Sequence, residues 1–197
     1  MNLNLSKLRT NMIGNIKLAK QAGWIAIVGG VFQLLYGLLS IPFPYSEEIN
    51  YGWSEALWTV ACIGMIGAIF GLLIIEAGGP GKVAQLSGMI AILGLLIRII
   101  AAIIIIVGST WYPLPLILLG ILLMLVGMFV LAIAILREKK LKGWQTWAPI
   151  LVPIFGLITA SIYSINLTIH FIMLGIWGLF SMLVGYVVIL YASGYQE

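Results

Sequence analysis

Side chains that could bind a metal, form a disulfide or act as acids and bases are scarce in this sequence of 197 residues. It has no aspartate, one histidine and one cysteine, and charged residues make up 8% of the chain, where an average soluble domain carries about 25%. A metal site needs several nitrogen, oxygen or sulfur ligands, so we expect the chain to hold no metal on its own. A single cysteine excludes an intrachain disulfide. With so few acid and base groups, we also expect no cofactor and no enzymatic activity.

Hydrophobic residues, in contrast, make up 62% of the chain. They form stretches long enough, at about 1.5 Å per residue in a helix, to cross a hydrocarbon core of roughly 30 Å. The predicted fold is therefore all-α, a polytopic membrane protein made of a bundle of six transmembrane helices. The predicted spans cover residues 21–41, 53–75, 83–108, 116–136, 144–163 and 169–192.

The two ends of the chain are predicted to lie outside the bundle. Residues 1–20 alternate cations with apolar side chains spaced three and four apart, which predicts an amphipathic cytoplasmic segment on the inner membrane surface. The six-helix transmembrane domain covers residues 21–192, and residues 193–197 form a cytoplasmic tail.

Individual spans differ in composition. Span four has no polar side chain and is predicted to lie nearest to lipid. Pro149 and Pro153 should kink or open span five near its inner end, because proline removes a backbone donor. Gly67 and Gly71 form a GxxxG pair on span two, which favours close packing against other helices of the same chain over dimerisation.

Cations are distributed unevenly along the chain. Nine of the ten Lys and Arg residues lie in the N-terminal segment, in the loop between spans two and three, and in the loop between spans four and five, all on one side. The positive-inside rule therefore places both termini in the cytoplasm, in a multi-pass protein of the cell membrane, most simply the plasma membrane of a prokaryote. Because the cations flank spans, we expect no nucleic-acid partner. Gly-Trp pairs open spans two and five, which indicates a 3+3 inverted repeat.

The tenth cation, Arg98, lies inside span three. A cation near the bilayer midplane costs roughly 2.5 to 17 kcal/mol, so it must face protein or water. Two interpretations stay open. Arg98 either pairs with Glu55 or with backbone carbonyls and stabilises helix packing, or it binds a polar or anionic group of a ligand in an outward-facing pocket.

Polar side chains at a similar depth on other spans are candidates for lining that pocket. Glu55, Thr59 and Cys62 share a face of span two, and Thr159 lies on span five. Taken singly, threonine and cysteine in a span are more typical of packing, and a histidine at a helix start is more typical of the interface. The predicted ligand-binding set has no catalytic and no metal-binding member. It consists of Arg98, Glu55, Gln33, Tyr36, Thr59, Tyr163 and His170.

Two resemblances follow from particular stretches. The last third of the chain resembles that of uncharacterised small six-helix prokaryotic membrane proteins, and the resemblance implies no particular activity. It rests on the stretches LREKKLKGWQTWAPILVPIFG and LGIWGLFSMLVGYVVILYA. The chain length, the six spans, the inward termini and the AxxxA spacing of Ala22 and Ala26 are similar to the substrate-binding subunits of energy-coupling-factor vitamin transporters. That second resemblance implies docking of a transmembrane partner through the alanine stripe.

Three functions are compatible with the sequence. The first is a non-catalytic accessory protein or complex subunit whose polar interior is centred on Arg98. The second is a small-molecule-binding transport component with an outward-facing pocket. The third, an intramembrane enzyme acting on lipid, is disfavoured by the shortage of acid and base groups. The expected partners are the lipid bilayer, other membrane subunits under the first function, and a small polar or anionic ligand under the second.

Overall fold

The computed structural model describes residues 5–42, 52–108 and 113–194, with side chains from residue 15 onward. Within these ranges the chain consists of α-helices, one 3-10 turn and their connections, with no strand, which confirms the all-α prediction. The α-helices are α1 (Leu5–Ser40), α2 (Gly52–Ile74), α3 (Lys82–Ile106), α4 (Leu114–Glu138), α5 (Ala148–Ile162) and α6 (Leu167–Ala192).

Each helix packs against the next one in the chain, and α6 returns to pack against α1, so the pairwise contacts close a ring. Neighbouring helices are antiparallel. On α1, for example, Gly23 lies against Gly185 of α6, and Gly37 lies against Gly175. The α1–α6, α3–α4 and α1–α2 contacts are the most extensive, and α2 also touches α6 across the ring.

Five of these helices are long and apolar enough to cross a membrane, which is the architecture of a multi-pass membrane protein. They correspond to predicted spans one to four and six. The apolar segments are Asn15–Ser40, Gly52–Ile74, Lys82–Ile106, Leu114–Glu138 and Leu167–Ala192.

The fifth predicted span forms a shorter helix. With 15 residues, α5 is about 22 Å long, and a 3-10 turn over Gly143–Thr146 precedes it and adds about 8 Å. Pro149 lies in the first turn of α5, where its missing donor has no helical partner to lose. Pro153 lies inside the helix and removes a hydrogen bond. The α-helix nevertheless continues through both prolines, and the kink predicted for span five stays a prediction.

The first helix is longer than predicted. It runs without a break from Leu5 to Ser40, so the backbone shows no boundary between residues 1–20 and the span that follows. Its 36 residues extend about 54 Å, well beyond a hydrocarbon core of roughly 30 Å. The location of the N-terminal segment on a membrane surface stays a prediction.

Glycines bring α1 close to both of its neighbours. A Cβ added to Gly30 would lie 2.6 Å from the carbonyl oxygen of Gly178 on α6, and Gly29 meets Gly64 of α2 backbone to backbone. Such approaches are available only where side chains are small. We call the contact surface between two neighbouring helices a seam. In both seams of α1 the backbones of the two helices approach each other closely.

The small residues singled out in the sequence pack within the chain. Gly67 faces Ile25 of α1, and Gly71 faces Val188 of α6, which confirms intrachain packing for this pair. Ala22 and Ala26 are 4% and 0% exposed. Their AxxxA stripe is covered by the chain itself and is not on an exposed face.

The structure does not support the prediction that span four lies nearest to lipid. Helices α3 and α4 have 25 residues each, and nine residues are buried in each. A Cβ added to Gly120 of α4 would lie 3.0 Å from the backbone nitrogen of Arg98, so α4 covers the charged helix at that point. An apolar sequence does not distinguish lipid from a neighbouring helix, and Gly120 and Gly127 make the close contact possible.

The charged side chains are separated along the bundle. Apart from Arg98, every Lys and Arg whose side chain the structure describes lies near the end where α6 finishes, which we call the basic end. Its members are Lys17, Lys20, Lys82, Arg137, Lys139, Lys140 and Lys142. At this end Lys140 Nζ lies 3.5 Å from a carboxylate oxygen of Glu76, and both side chains are partly exposed. The opposite end, where α2 begins, carries Glu55 and is called the Glu55 end.

Candidate functional site

Arg98 lies about 6 Å past the middle of α3, toward the Glu55 end, at about 1.5 Å per residue. It is 8% exposed. The helix bears lipid-facing side chains on its other sides, such as Leu93, which is 51% exposed. The charge therefore points into the bundle, as the cost of lipid exposure requires.

Glu55 is the partner of Arg98. The Nη2 group of Arg98 donates to both carboxylate oxygens of Glu55, at 2.9 and 3.2 Å, and Glu55 is 5% exposed. The pairing arises because α2 and α3 are antiparallel, so that the first turn of α2 is level with the later turns of α3. A carboxylate in a first helical turn also interacts favourably with the helix dipole.

Aromatic rings continue from the ion pair into the bundle. The guanidinium of Arg98 lies over the ring of Trp58, 5.7 Å from its centroid, within reach of a cation–π interaction. Trp58 lies 5.4 Å from Tyr36 and 6.0 Å from Trp177, measured between ring centroids. Phe171 adds an edge contact to Tyr36 at 6.4 Å. These rings join α1, α2 and α6 next to the charged pair.

The roles of Trp58, Trp177 and Phe171 were not predicted from the sequence. Trp58 could have been found, because it lies three residues after Glu55 and shares its helix face. Trp177 and Phe171 lie on a span in which only His170 was considered. Nothing local in the sequence indicates that their rings turn toward Arg98.

Other predicted residues of α1 and α2 lie near this cluster in different roles. Gln33 is fully buried, and its Oε1 accepts a long hydrogen bond of 3.4 Å from the hydroxyl of Ser181. The hydroxyl of Thr59 donates to the backbone oxygen of Glu55 at 2.8 Å, so it is occupied within its own helix. Cys62 is fully buried and is part of the apolar core.

His170 and Tyr163 form a separate cluster on α6 and at the end of α5. Nδ1 of His170 lies 2.8 Å from the backbone oxygen of Thr159, and Tyr163 packs edge-on at 5.0 Å. Tyr163 is 60% exposed, so it lies outside the interior. This cluster reaches the central one only through Phe171, whose ring is 5.6 Å from His170.

Several buried polar groups toward the Glu55 end have no hydrogen-bond partner among the described residues. Each side chain involved is at least nine-tenths buried. The groups are Arg98 Nη1, Trp58 Nε1, Trp177 Nε1, Gln33 Nε2 and the hydroxyl of Thr159. A sixth unpartnered group, Oε1 of Gln145, lies at the basic end.

The five groups at the Glu55 end share one chemical property. Arginine and indole nitrogens and the amide nitrogen of glutamine are donors only, and a threonine hydroxyl also donates. We call these five groups the donor cluster. Groups of this kind can form hydrogen bonds only with acceptor atoms, apart from the threonine hydroxyl, which can also accept. No group of three or more potential metal ligands occurs among the described residues.

Comparisons with known proteins leave the chain without an assigned family. No protein-family model, no curated protein and no solved structure matches it.

Proposed function

We propose that this membrane protein binds a small molecule in its interior at the Glu55 end, as a ligand-binding component of a transport system or membrane complex. The observation that carries the proposal is the donor cluster beside the Arg98–Glu55 pair. A buried donor without a partner costs about 1–3 kcal/mol, and native proteins hold few such groups. A ligand that supplies acceptors removes this cost.

A non-catalytic accessory subunit is the second candidate, and the ion pair itself favours it. Arg98 and Glu55 compensate each other, and Trp58 adds a cation–π contact. In this role the pair joins α2 to α3 and the exposed apolar faces contact lipid or another membrane subunit. An intramembrane enzyme has less support, since Glu55 is held by Arg98 and the single histidine, His170, lies in the separate cluster with Tyr163.

The topology proposed from the sequence fits the separation of charge. With the basic end in the cytoplasm, both termini are cytoplasmic and the donor cluster lies on the outer side. The inverted repeat also stays a proposal. Exchange of the two three-helix halves would relate the extensive α1–α6 seam to the extensive α3–α4 seam, but it would also relate the extensive α1–α2 seam to the small α4–α5 seam.

Mass spectrometry of small molecules retained by the purified protein in nanodiscs tests the ligand-binding function. We expect the wild type to retain a compound that empty nanodiscs lack. We expect the double variant Arg98→Leu with Glu55→Leu to lose it, because it removes a donor and the pair while leaving no uncompensated charge. Ser161→Ala is the matched control, since this exposed hydroxyl only donates to Leu157 of its own helix.

Two results would contradict the proposal. If the wild type retains nothing beyond the nanodisc background, the protein does not hold a ligand as purified and the accessory role is favoured. If the double variant retains the compound as well as the wild type does, the compound binds elsewhere.

A further inference from the structure

We infer that the ligand of the donor cluster is a neutral, lipid-soluble molecule with carbonyl acceptors on a planar ring, the chemistry of a quinone headgroup. This inference rests on the proposed function and specifies what that site binds. It narrows the sequence-based expectation of a polar or anionic group at Arg98 to a polar, uncharged one. The reason is the position of Glu55.

The charge of Arg98 is already compensated. Both oxygens of Glu55 accept from its Nη2 group, and both side chains are buried. An anionic ligand would either displace Glu55 or add a second negative charge to a buried site, and either change leaves one charge uncompensated away from water. A neutral ligand leaves the pair intact and binds the second nitrogen, Nη1, which has no partner.

The polar complement of the ligand follows from the unpartnered atoms. Trp58 Nε1, Trp177 Nε1 and Gln33 Nε2 donate and cannot accept. A ligand with carbonyl oxygens satisfies such donors, whereas a ligand with hydroxyl or amine groups would bring donors of its own into the site. Two carbonyls on opposite edges of one ring can be bound from different helices.

The rings beside the donors favour a planar body. The ring centroids of Tyr36 and Trp58 lie 5.4 Å apart, and those of Trp58 and Trp177 lie 6.0 Å apart. Both pairs are tilted by 50°, which is ordinary aromatic packing, so a ligand ring enters only by separating one of these pairs. Aromatic faces of this kind pack well against a flat ligand ring.

The seam between α4 and α5 gives the bilayer a route to these rings. It is the least extensive contact between consecutive helices. Gly156 lies on it, and a Cβ there would be 2.8 Å from Leu125 Cδ2 and 2.9 Å from the indole of Trp177. Pro153 weakens the hydrogen bonding of α5 one turn away. Leu125 and Trp177 close the seam around Gly156, so a molecule dissolved in the bilayer reaches Trp177 when α5 moves away from α4.

Three probes of equal tail length test the inference with the protein in nanodiscs: a decyl-tailed benzoquinone, a decyl-tailed benzoate and decylbenzene. We expect the benzoquinone to bind at least tenfold more tightly than either of the others. Trp177→Phe should weaken its binding about three- to tenfold through loss of one donor. Gly156→Leu should weaken its binding as well, because the added side chain displaces the indole of Trp177. The control Ser161→Ala should leave the binding unchanged.

Each outcome supports or overturns the inference. Tighter binding of the benzoate overturns it while leaving the proposed function standing. Equal binding of decylbenzene overturns it as well, because simple partition into the bundle would then suffice. If no probe binds, the compound that the purified protein retains tests the inference instead. An anionic compound overturns the inference. The absence of any retained compound overturns the proposed function as well. If Trp177→Phe does not fold, Trp58→Phe removes a second donor, and unchanged quinone binding in that variant contradicts the proposed contact.

Discussion

The two seams on either side of α3 are held together by different means. Against α4, a Cβ added to Gly94 would lie 2.5 Å from the carbonyl oxygen of Gly120, so backbone meets backbone. Against α2, Gly88 meets only the side chain of Leu73. The α2–α3 seam instead contains the Arg98–Glu55 pair.

The difference shows how one helix can carry a charge within a membrane. The α3–α4 seam depends on the absence of side chains, and its attraction comes from many close dispersion contacts. The α2–α3 seam depends on two charges that are costly unless both are present. Adding a side chain at a glycine should therefore destabilise the α3–α4 seam, whereas removing one charged side chain should destabilise the α2–α3 seam.

The largest effect is expected from Glu55→Ala. This change leaves Arg98 buried without its counter-charge and should lower the free energy of unfolding by about 3–5 kcal/mol. Equilibrium unfolding in mixed micelles, followed by circular dichroism, measures the difference.

The matched control replaces both partners. Glu55→Leu combined with Arg98→Leu removes the charges together, and its stability should return to the wild-type value or exceed it by about 1–4 kcal/mol. A single Glu55→Ala variant as stable as the wild type would show that Arg98 does not depend on this pair.

Much of this fold was predictable from hydrophobic length alone. Long apolar stretches fix the long helices because unpaired backbone groups are too costly in lipid. The helix bounds were predicted less accurately. Helix α1 continues through residue 20, because a segment of mixed cations and apolar residues contains no signal that ends a helix. The neighbours of each helix were not predictable, because α4 looks lipid-facing by composition and yet covers Arg98 through Gly120.

The candidate site was predictable in its charges and not in its rings. Arg98 and Glu55 stood out because the spans contain few other charges, and antiparallel spans place them at one level. Tryptophan is common in membrane helices, so Trp177 carried no signal of its own. Tyr163 was misplaced because depth along a helix says nothing about which face is turned inward, and its side chain is 60% exposed.

An intermediate effect is expected from adding a methyl group to the α3–α4 seam. Gly94→Ala should lower the free energy of unfolding by about 1–3 kcal/mol, since the backbone of α4 must move. Gly88→Ala on the opposite face should cost less than about 1 kcal/mol, because Leu73 can adopt another rotamer. Parallel unfolding curves of the two variants measure the difference.

The control for this pair is Gly81→Ala. A Cβ there meets nothing within 4 Å, and the backbone φ of −71° suits alanine. Because Gly81 is the N-cap of α3, where alanine is less favourable than glycine, we expect a loss below about 1 kcal/mol from capping alone. Equal losses at Gly94 and Gly88 would show that the two seams of α3 do not differ as described.

The smallest effect is expected from Lys140→Gln, which breaks the ion pair with Glu76 at the basic end. The side chains of Lys140 and Glu76 are 32% and 57% exposed, so the pair should contribute about 0–1 kcal/mol. Added salt should remove even this contribution, because screening is strong between exposed charges, whereas the loss in Glu55→Ala should persist at high salt. Unfolding curves at low and high salt compare the two pairs. A loss at Lys140 equal to that at Glu55 would mean that burial does not set the strength of the α2–α3 seam.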